Sequence, residues 1–352
     1  MIDRFLPLWI GGAMVLGIVI SQTIPGFADF LGKWEIAGTS VPIAIGLLVM
    51  MYPPLAKVRY DKTAEIATDT RLMVVSLVLN WLVGPLLMFV LAWLFLPDSP
   101  ELRTGLIIVG LARCIAMVLV WNDMACGDRE AAAVLVAVNS VFQIAMFGVL
   151  GWFYLQLLPG WLGLPTTDVH FTFWAIVLSV VFYLGVPLLA GVLSRVIGEA
   201  KHGRRWYEDK FLPAISPFAL IGLLYTIVLL FALQGQQVMD NPGTVAKVSL
   251  PLLGYFAIMF FIALFAARGV GLNYARSATV AFTAAGNNFE LAIAVSIGTF
   301  GMLSPQALAG TIGPLVEVPV LVGLVYVSLW LAPKLFPGDP TIPTNSTAKG
   351  AE

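Results

Sequence analysis

The sequence predicts an all-α membrane protein of ten transmembrane helices, built from two inverted five-helix repeats. Composition, ten apolar stretches and the placement of basic residues predict it. Of the 352 residues, 59% are hydrophobic and 11% are charged, whereas soluble domains are ~45–50% apolar and ~25% charged. The mean hydropathy of +0.93 indicates a chain embedded in lipid. The net charge of −1 gives no reason to expect a nucleic-acid partner.

Each apolar stretch is close to the ~20 residues that a helix needs to cross a bilayer. Every stretch must be helical, because lipid offers no hydrogen-bonding partner to an open backbone. The ten stretches are 5–24, 41–58, 71–96, 103–122, 130–158, 171–197, 211–234, 248–268, 276–300 and 308–332.

The basic residues predict the orientation. With the N-terminus inside, 15 of the 19 Lys and Arg residues are cytoplasmic, 3 are outside, and Arg113 lies within a span. This asymmetry places both termini in the cytoplasm by the positive-inside rule. Residues 337–352 are rich in Pro, Thr and Gly, which predicts a disordered cytoplasmic tail.

Weak self-similarity divides the spans into halves, 1–160 and 161–336. Pro42 and Gly46 in span two match Pro217 and Gly222 in span seven, each motif ending in Gly-Leu-Leu. An odd number of spans per half makes the second half enter the membrane from the other side, as in the inverted repeats of secondary transporters. A chance likeness between apolar helices stays open.

The fourth span of each half carries polar residues at mid-membrane depth. Span four contains Arg113 and Cys114, and span nine contains the run Gly286, Asn287 and Asn288. A Gly-Asn-Asn run is a poor helix former. We expect both helices to break there, so that their half-helix ends face one another.

Three ionisable residues lie within spans: Arg113, Glu290 in span nine and Glu317 in span ten. Each costs at least ~2.5–3.5 kcal/mol at the bilayer centre unless it faces a partner or a wet cavity. They form either a buried Arg–Glu clamp or a functional site, and the two are compatible if one glutamate pairs with Arg113. Asn139 occupies the place of Glu317 in the first repeat, where interhelical hydrogen bonding suffices to explain it.

Cys114 and Cys126 are the two cysteines. A lone cysteine in an apolar helix usually acts as a small hydrophobe, but the neighbouring Arg113 would increase the thiolate character of Cys114. Cys126 lies at the span end and is interpreted as a bystander.

The twelve methionines are interpreted as packing residues. No metal-ligand spacing, nucleotide-binding loop or nucleophile–base pair is visible, so no cofactor and no enzyme activity are expected.

Four segments resemble signatures of one transporter family. They are NWLVGPLLMFVLAWLFL at Asn80–Leu96, GLARCIAMVLVWND at Gly110–Asp123, NNFELAIAV at Asn287–Val295 and GPLVEVPVL at Gly313–Leu321. Together they resemble the arsenite efflux permeases of the arsenical-resistance family, in the bile acid/arsenite/riboflavin transporter superfamily. The resemblance implies core and panel domains, with broken helices four and nine crossing each other.

The resemblance also implies a function: export of trivalent arsenic as arsenite, and sometimes of antimony as antimonite, across the cell membrane in exchange for protons. The key thiol falls on Cys114, which would bind arsenic as a substrate, and the key carboxylate falls on Glu290. A sodium-coupled organic-anion transporter on the same fold is the alternative, with sodium bound by oxygens of span nine. We expect the site to comprise Cys114, Arg113, Asn287 and Asn288 around the substrate, with Glu290 and Glu317 coupling protons.

Overall fold

The computed structural model describes residues 6–24, 26–36, 39–58, 66, 68–115, 117–165 and 173–342. Within these ranges the chain is almost entirely helical, with one short antiparallel strand pair. In chain order the elements are α1 (Leu6–Thr23), α2 (Phe27–Lys33), β1 (Glu35–Ile36), β2 (Thr39–Ser40), α3 (Val41–Lys57), α4 (Thr70–Phe95), α5 (Pro100–Leu111), α6 (Met117–Met124), α7 (Arg129–Trp161), α8 (173–202), α9 (Arg204–Asp240), α10 (Pro242–Gly269), α11 (Tyr274–Ala285), α12 (Phe289–Phe300) and α13 (Pro305–Leu335).

Each predicted apolar stretch coincides with a helix or, for the fourth and ninth, with a pair of half-helices. Both predicted breaks are present: α5 and α6 flank one, and α11 and α12 flank the other. The few outermost residues of the first and sixth stretches lie outside the described ranges. Among the described helices, six are long and apolar enough to cross a membrane, namely α4, α7, α8 from Val177, α9, α10 and α13.

Glycines allow α3 and α9 to pack closely. A Cβ on Gly46 of α3 would lie 2.5 Å from the Thr226 hydroxyl oxygen, and one on Gly222 of α9 would lie 2.8 Å from the Met50 backbone nitrogen. Small residues permit this backbone approach between membrane helices. The two glycine motifs that look alike in the sequence therefore pack reciprocally against each other.

The helices pack as two groups. In the first, α9 contacts α1 and α3, and α3 also contacts α8. In the second, α10 contacts α4, α11 and α13, and α5 contacts α4 and α13. The helices α6 and α7 also belong to this group, because both contact α11. The half-helix α12 connects the groups, because it packs on α13 and also contacts α3 and α8. The broken helices therefore lie where the two groups meet.

Four helices of the second group begin with a side-chain cap that satisfies a free N–H of the first turn. Asp69 caps α4, Asp128 caps α7, Asn273 caps α11 and Ser304 caps α13. The Arg276 guanidinium joins two of these ends through ion pairs of 2.5 Å to Asp69 and 3.4 Å to Asp128. One end of the second group is thereby tied together.

The chain after α13 returns to the start of α11. The Asp339 carboxylate accepts the Tyr274 N–H at 2.6 Å, and the Thr341 hydroxyl accepts the Ala275 N–H at 3.2 Å. The tail predicted to be disordered from residue 337 is thus hydrogen-bonded as far as Thr341, because α11 offers unsatisfied N–H groups at its first turn. Residues 343–352 of that tail lie outside the described residues.

Candidate functional site

The two breaks cross as a pair of extended segments. Arg113 and Asn287 face each other in an antiparallel bridge. The Cys114 N–H donates to the Gly286 carbonyl at 3.4 Å, and the Asn288 N–H donates to the Ala112 carbonyl at 3.0 Å. Backbone groups that would be unsatisfied in a broken membrane helix are therefore satisfied by the opposite break.

Side-chain hydrogen bonds to the two breaks show the same reciprocal pattern as the backbone hydrogen bonds. The Gln143 side-chain oxygen of α7 accepts the Arg113 N–H, and the Glu317 carboxylate of α13 accepts the Asn287 N–H at 3.3 Å. The same sequence offset relates Arg113 to Asn287 and Gln143 to Glu317. Gln143 is therefore the counterpart of Glu317, and the sequence-based pairing with Asn139 is wrong. Asn139 instead accepts the Trp81 indole N–H at 3.0 Å.

The Arg113 side chain is fully buried and binds backbone carbonyls. Its guanidinium donates to the Gly110 carbonyl, to the Ala284 carbonyl at 3.3 Å and to the Tyr255 hydroxyl at 2.9 Å. Both carbonyls belong to half-helix C-terminal turns, where a cation is favourable. Asn287 similarly donates to the Val109 carbonyl at 2.8 Å. Among the described residues no carboxylate pairs with Arg113, so the Arg–Glu clamp, one of the two arrangements that the sequence left open, is not formed by them.

A buried cavity lies beside the crossing, at the N-terminal ends of α6 and α12. Its volume is about 10 Å³, roughly what one water molecule occupies. Four lining residues are polar or titratable: Cys114, Asn287, Asn288 and Glu290. The remaining five are apolar, and they are Met50 and Met51 of α3, Ile115, Met117 of α6 and Leu223 of α9.

Cys114 is held at the start of α6. Its sulfur accepts the Val118 N–H at 3.3 Å, and the side chain is only 4% exposed. A Cβ on Gly286 would lie 3.0 Å from the Cys114 Cβ, so the glycine leaves space for the thiol at the crossing. Cys126 lies beyond α6, does not line the cavity and has a left-handed backbone with φ of 55°.

The two glutamates occupy different positions. Glu290 lies in the first turn of α12 and lines the cavity, whereas Glu317 lies behind the crossing and does not line it. They are close enough to repel each other when both are ionised. Asn288 caps α12 by accepting the Leu291 N–H at 3.0 Å. Of the predicted site residues, the structure brings Cys114, Asn287, Asn288 and Glu290 to one cavity and places Arg113 and Glu317 beside it.

Sequence reasoning missed several residues that build this site. Gln143 and Tyr255 support Arg113, and three methionines interpreted as packing line the cavity. The offset that relates the two halves could have identified Gln143. The hydropathy pattern contains no signal for Met50 and Met51, because they reach the cavity only through the packing of α3 against the second helix group. Met117 lines the cavity because it begins α6, three residues after Cys114.

Comparison with known families gives one match that covers more than half the chain. The Sodium Bile acid symporter family matches residues 44–241. This range contains Cys114 and the first crossing segment and ends before Glu290.

Curated relatives match almost the whole chain. An arsenical-resistance protein Acr3 of Corynebacterium glutamicum is 70% identical, with 98% of this chain and 93% of the relative covered. An Acr3 protein of Alkaliphilus metalliredigens is 32% identical, with 93% and 92% covered. An uncharacterized transporter of Synechocystis is 34% identical, with 96% and 91% covered. The chain therefore belongs to the Sodium Bile acid symporter family, in its arsenical-resistance branch, and is a multi-pass membrane transporter rather than an enzyme.

Proposed function

We propose that the protein exports trivalent arsenic, as arsenite, from the cytoplasm in exchange for protons, with antimonite as the candidate second substrate. The observation that carries the proposal is the convergence of the Cys114 thiol and the Glu290 carboxylate on one buried cavity where two broken helices cross. The names of the two arsenical-resistance relatives support the substrate class.

The cavity suits an uncharged, thiophilic substrate. Arsenious acid is neutral near neutral pH, and none of the nine lining residues is cationic. The thiol would condense with As(OH)₃, forming one S–As bond and releasing water from the thiol proton and one hydroxyl group. A single sulfur keeps this bond reversible, as a carrier requires. The amides of Asn287 and Asn288 would hydrogen-bond the remaining hydroxyls.

Glu290 is the proposed proton carrier. It lines the cavity beside Cys114 and is itself buried. Protonation of Glu290 from outside would promote release: water attacks arsenic and breaks the S–As bond, Glu290 donates its proton to the departing sulfur, and the proton of the attacking water returns to Glu290, which leaves a free thiol and As(OH)₃. Glu317 holds the Asn287 N–H and interacts electrostatically with Glu290, and we propose that it tunes this coupling. Arg113 shapes the pocket by fixing the crossing.

We further propose ten membrane-spanning helices in inverted repeats, 1–160 and 161–336, with both termini cytoplasmic. The reciprocal hydrogen bonds of the crossing and the reciprocal packing of Gly46 and Gly222 support a pseudo-two-fold axis. The group of α1, α3, α8 and α9 would be the panel and the second group the core. Alternating access would then be movement of one group against the other.

The captured state is proposed to face the cytoplasm. At the outer ends, Gln234 of α9 donates to the Met302 carbonyl at 3.1 Å, and Gln237 donates to the Leu303 carbonyl at 3.3 Å. The outer half-helix α12 packs on α3 and α8, whereas the inner half-helix α6 packs on α7, α11 and α13 of its own group. These contacts support an outer side that is closed.

The name of the matching family favours one other function, sodium-coupled transport of an organic anion. The cavity opposes it, because no lysine, arginine or histidine lines it to neutralise an anion. Sodium-dependent uptake that is insensitive to the loss of Cys114 would favour this alternative.

Arsenite accumulation by everted vesicles tests the proposal, and the second cysteine provides a matched control. We expect Cys114→Ser to reduce transport by at least about ten-fold, since the loss of one soft ligand exceeds ~1.4 kcal/mol, whereas Cys126→Ser should transport normally. Glu290→Gln should abolish transport driven by an imposed pH gradient. If Cys114→Ser and Glu290→Gln both transport at the normal rate, the assignment is wrong.

A further inference from the structure

We infer that the cavity is also a binding site for a soft monovalent metal cation of the Ag(I) or Cu(I) class, held by Cys114 and methionine sulfurs. This inference goes beyond the proposed function, because binding of the cation requires neither arsenic nor transport.

The donor set carries the inference. Four of the nine lining residues contain sulfur: Cys114, Met50, Met51 and Met117. The Met51 sulfur lies 4.0 Å from the Asn288 side-chain nitrogen, so this thioether reaches the polar wall of the cavity. Thiolate and thioether ligands select monovalent copper and similar soft ions over hard cations. Trivalent arsenic needs the thiol alone, and the thioethers are the additional feature that a soft cation would use.

The size of the cavity points to a single ion. Its volume of about 10 Å³ accommodates one water-sized object. A monatomic cation is no larger than a water molecule. The space in the structure is therefore compatible with a single ion held between the lining sulfurs.

The charges also balance. Binding of M⁺ to the Cys114 thiol forms an S–M bond and releases one proton, for which the Glu290 carboxylate in the same cavity is the acceptor. No lining residue is cationic, and the Arg113 guanidinium is directed to carbonyls behind the crossing. The Asn287 side-chain oxygen, on a residue only 2% exposed, has no hydrogen-bond partner among the described protein atoms. This oxygen could bind the ion or accept a hydrogen bond from a water molecule that stays bound to the ion.

Silver bound to the purified full-length protein tests the inference directly. In a Cys126→Ser background, which removes the other thiol, we expect about one silver per chain to survive gel filtration, measured by elemental analysis. Cys114→Ser should lose it. Met51→Leu conserves volume and should weaken silver binding by at least about ten-fold, one decade of affinity. Met259→Leu, in buried α10 away from the cavity, is the control and should bind as the parent does.

Competition with arsenite tests whether the silver ion occupies Cys114. Arsenite added before silver should reduce the silver retained if both occupy Cys114. Undiminished silver in Cys114→Ser, or parental affinity in both Met50→Leu and Met51→Leu, would overturn the inference. Thermal unfolding of each variant verifies folding. Silver binding in a protein that fails to export arsenite would support the cation site while refuting the proposed function, so the two failures are distinguishable.

Discussion

At the residue scale, Arg113 illustrates how a buried charge is stabilised although none of the described carboxylates pairs with it. Its guanidinium donates to carbonyls at the C-terminal turns of both α5 and α11 and to the Tyr255 hydroxyl. An intramembrane arginine predicts a carboxylate partner, and the sequence offers two. Backbone carbonyls can replace a carboxylate as the partner only when two helices break side by side. The breaks expose carbonyls that would be hydrogen-bonded within an intact helix.

Arg113→Lys should therefore destabilise the protein. A lysine ammonium is compact and lacks the planar fork that reaches several acceptors at once, and each carbonyl left unsatisfied costs about 1–3 kcal/mol. We expect a lower unfolding temperature in detergent, followed by tryptophan fluorescence. Arg129→Lys is the control, because that side chain is 78% exposed. Equal unfolding temperatures for the two variants would contradict the proposal that the Arg113 guanidinium stabilises the crossing.

Glu317 and its counterpart Gln143 give a second prediction at this scale. Each side-chain oxygen accepts one N–H at a break, so Glu317→Gln retains the acceptor while Glu317→Ala removes it. We expect Glu317→Gln to unfold near the parental temperature and Glu317→Ala to unfold earlier, since a lost partner costs about 1–3 kcal/mol. A Glu317→Gln protein that is as unstable as Glu317→Ala would show that the charge, rather than the acceptor, is needed.

At the scale of elements, hydropathy predicts which segments are helical but not where each helix begins. The seventh stretch was predicted to begin at residue 211, whereas α9 begins at Arg204. Its polar first turns are stabilised by Arg204–Glu208 and Arg205–Asp209 pairs one helical turn apart. The break in span nine was predictable from Gly286 and Asn287, because they are poor helix formers. The break in span four was predictable only from its matching place in the other half.

The segment after α13 yields a pH prediction. Burial of Asp339 acts to raise its pKa, but hydrogen bonds from Thr341 and Tyr274 outweigh burial and leave the pKa of Asp339 below its usual value. A lowered folded-state pKa stabilises the docked segment above the usual aspartate pKa of ~4, and this is lost as the pH falls through the lowered value. Protection of the Tyr274 and Ala275 amides from hydrogen exchange should fall accordingly.

Asp339→Asn provides the control for that experiment. The amide still offers an oxygen to the Tyr274 N–H but has no charge to lose, so protection at α11 should be weaker at neutral pH and insensitive to acid. Acid-sensitive protection that persists in Asp339→Asn would assign the effect to another group, such as the Asp69 and Asp128 carboxylates that bind Arg276.

At the scale of the whole molecule, the site could be predicted in part. The sequence predicted a pocket shared by Cys114 and Glu290, and both line one cavity where the broken helices cross; their roles in transport stay predictions. The contribution of Met50, Met51 and Leu223 could not be predicted, since it depends on which face of α3 and α9 meets the second helix group. That contact is a property of the packing between groups rather than of any one segment.

A cross-link between the groups should stop transport. Gln234→Cys combined with Met302→Cys places two thiols where α9 meets the turn before α13, a contact now made by a 3.1 Å hydrogen bond. In a Cys126→Ser background, we expect a short, reducible cross-linker to abolish arsenite export and a reductant to restore it. A variant that carries only one of the two introduced cysteines should be unaffected by the reagent. Normal export by the cross-linked protein would refute movement between the groups.

The reciprocal hydrogen bonds at the crossing bear on the direction in which such a carrier works. A framework whose two halves hold each other through equivalent bonds has little inherent preference for either side of the bilayer. The halves differ in chemistry: one supplies a thiol and an amide where the other supplies amides and carboxylates. Under the proton exchange proposed above, net flow is set by the gradients acting on those groups, and reversing the proton gradient should make the same protein an importer.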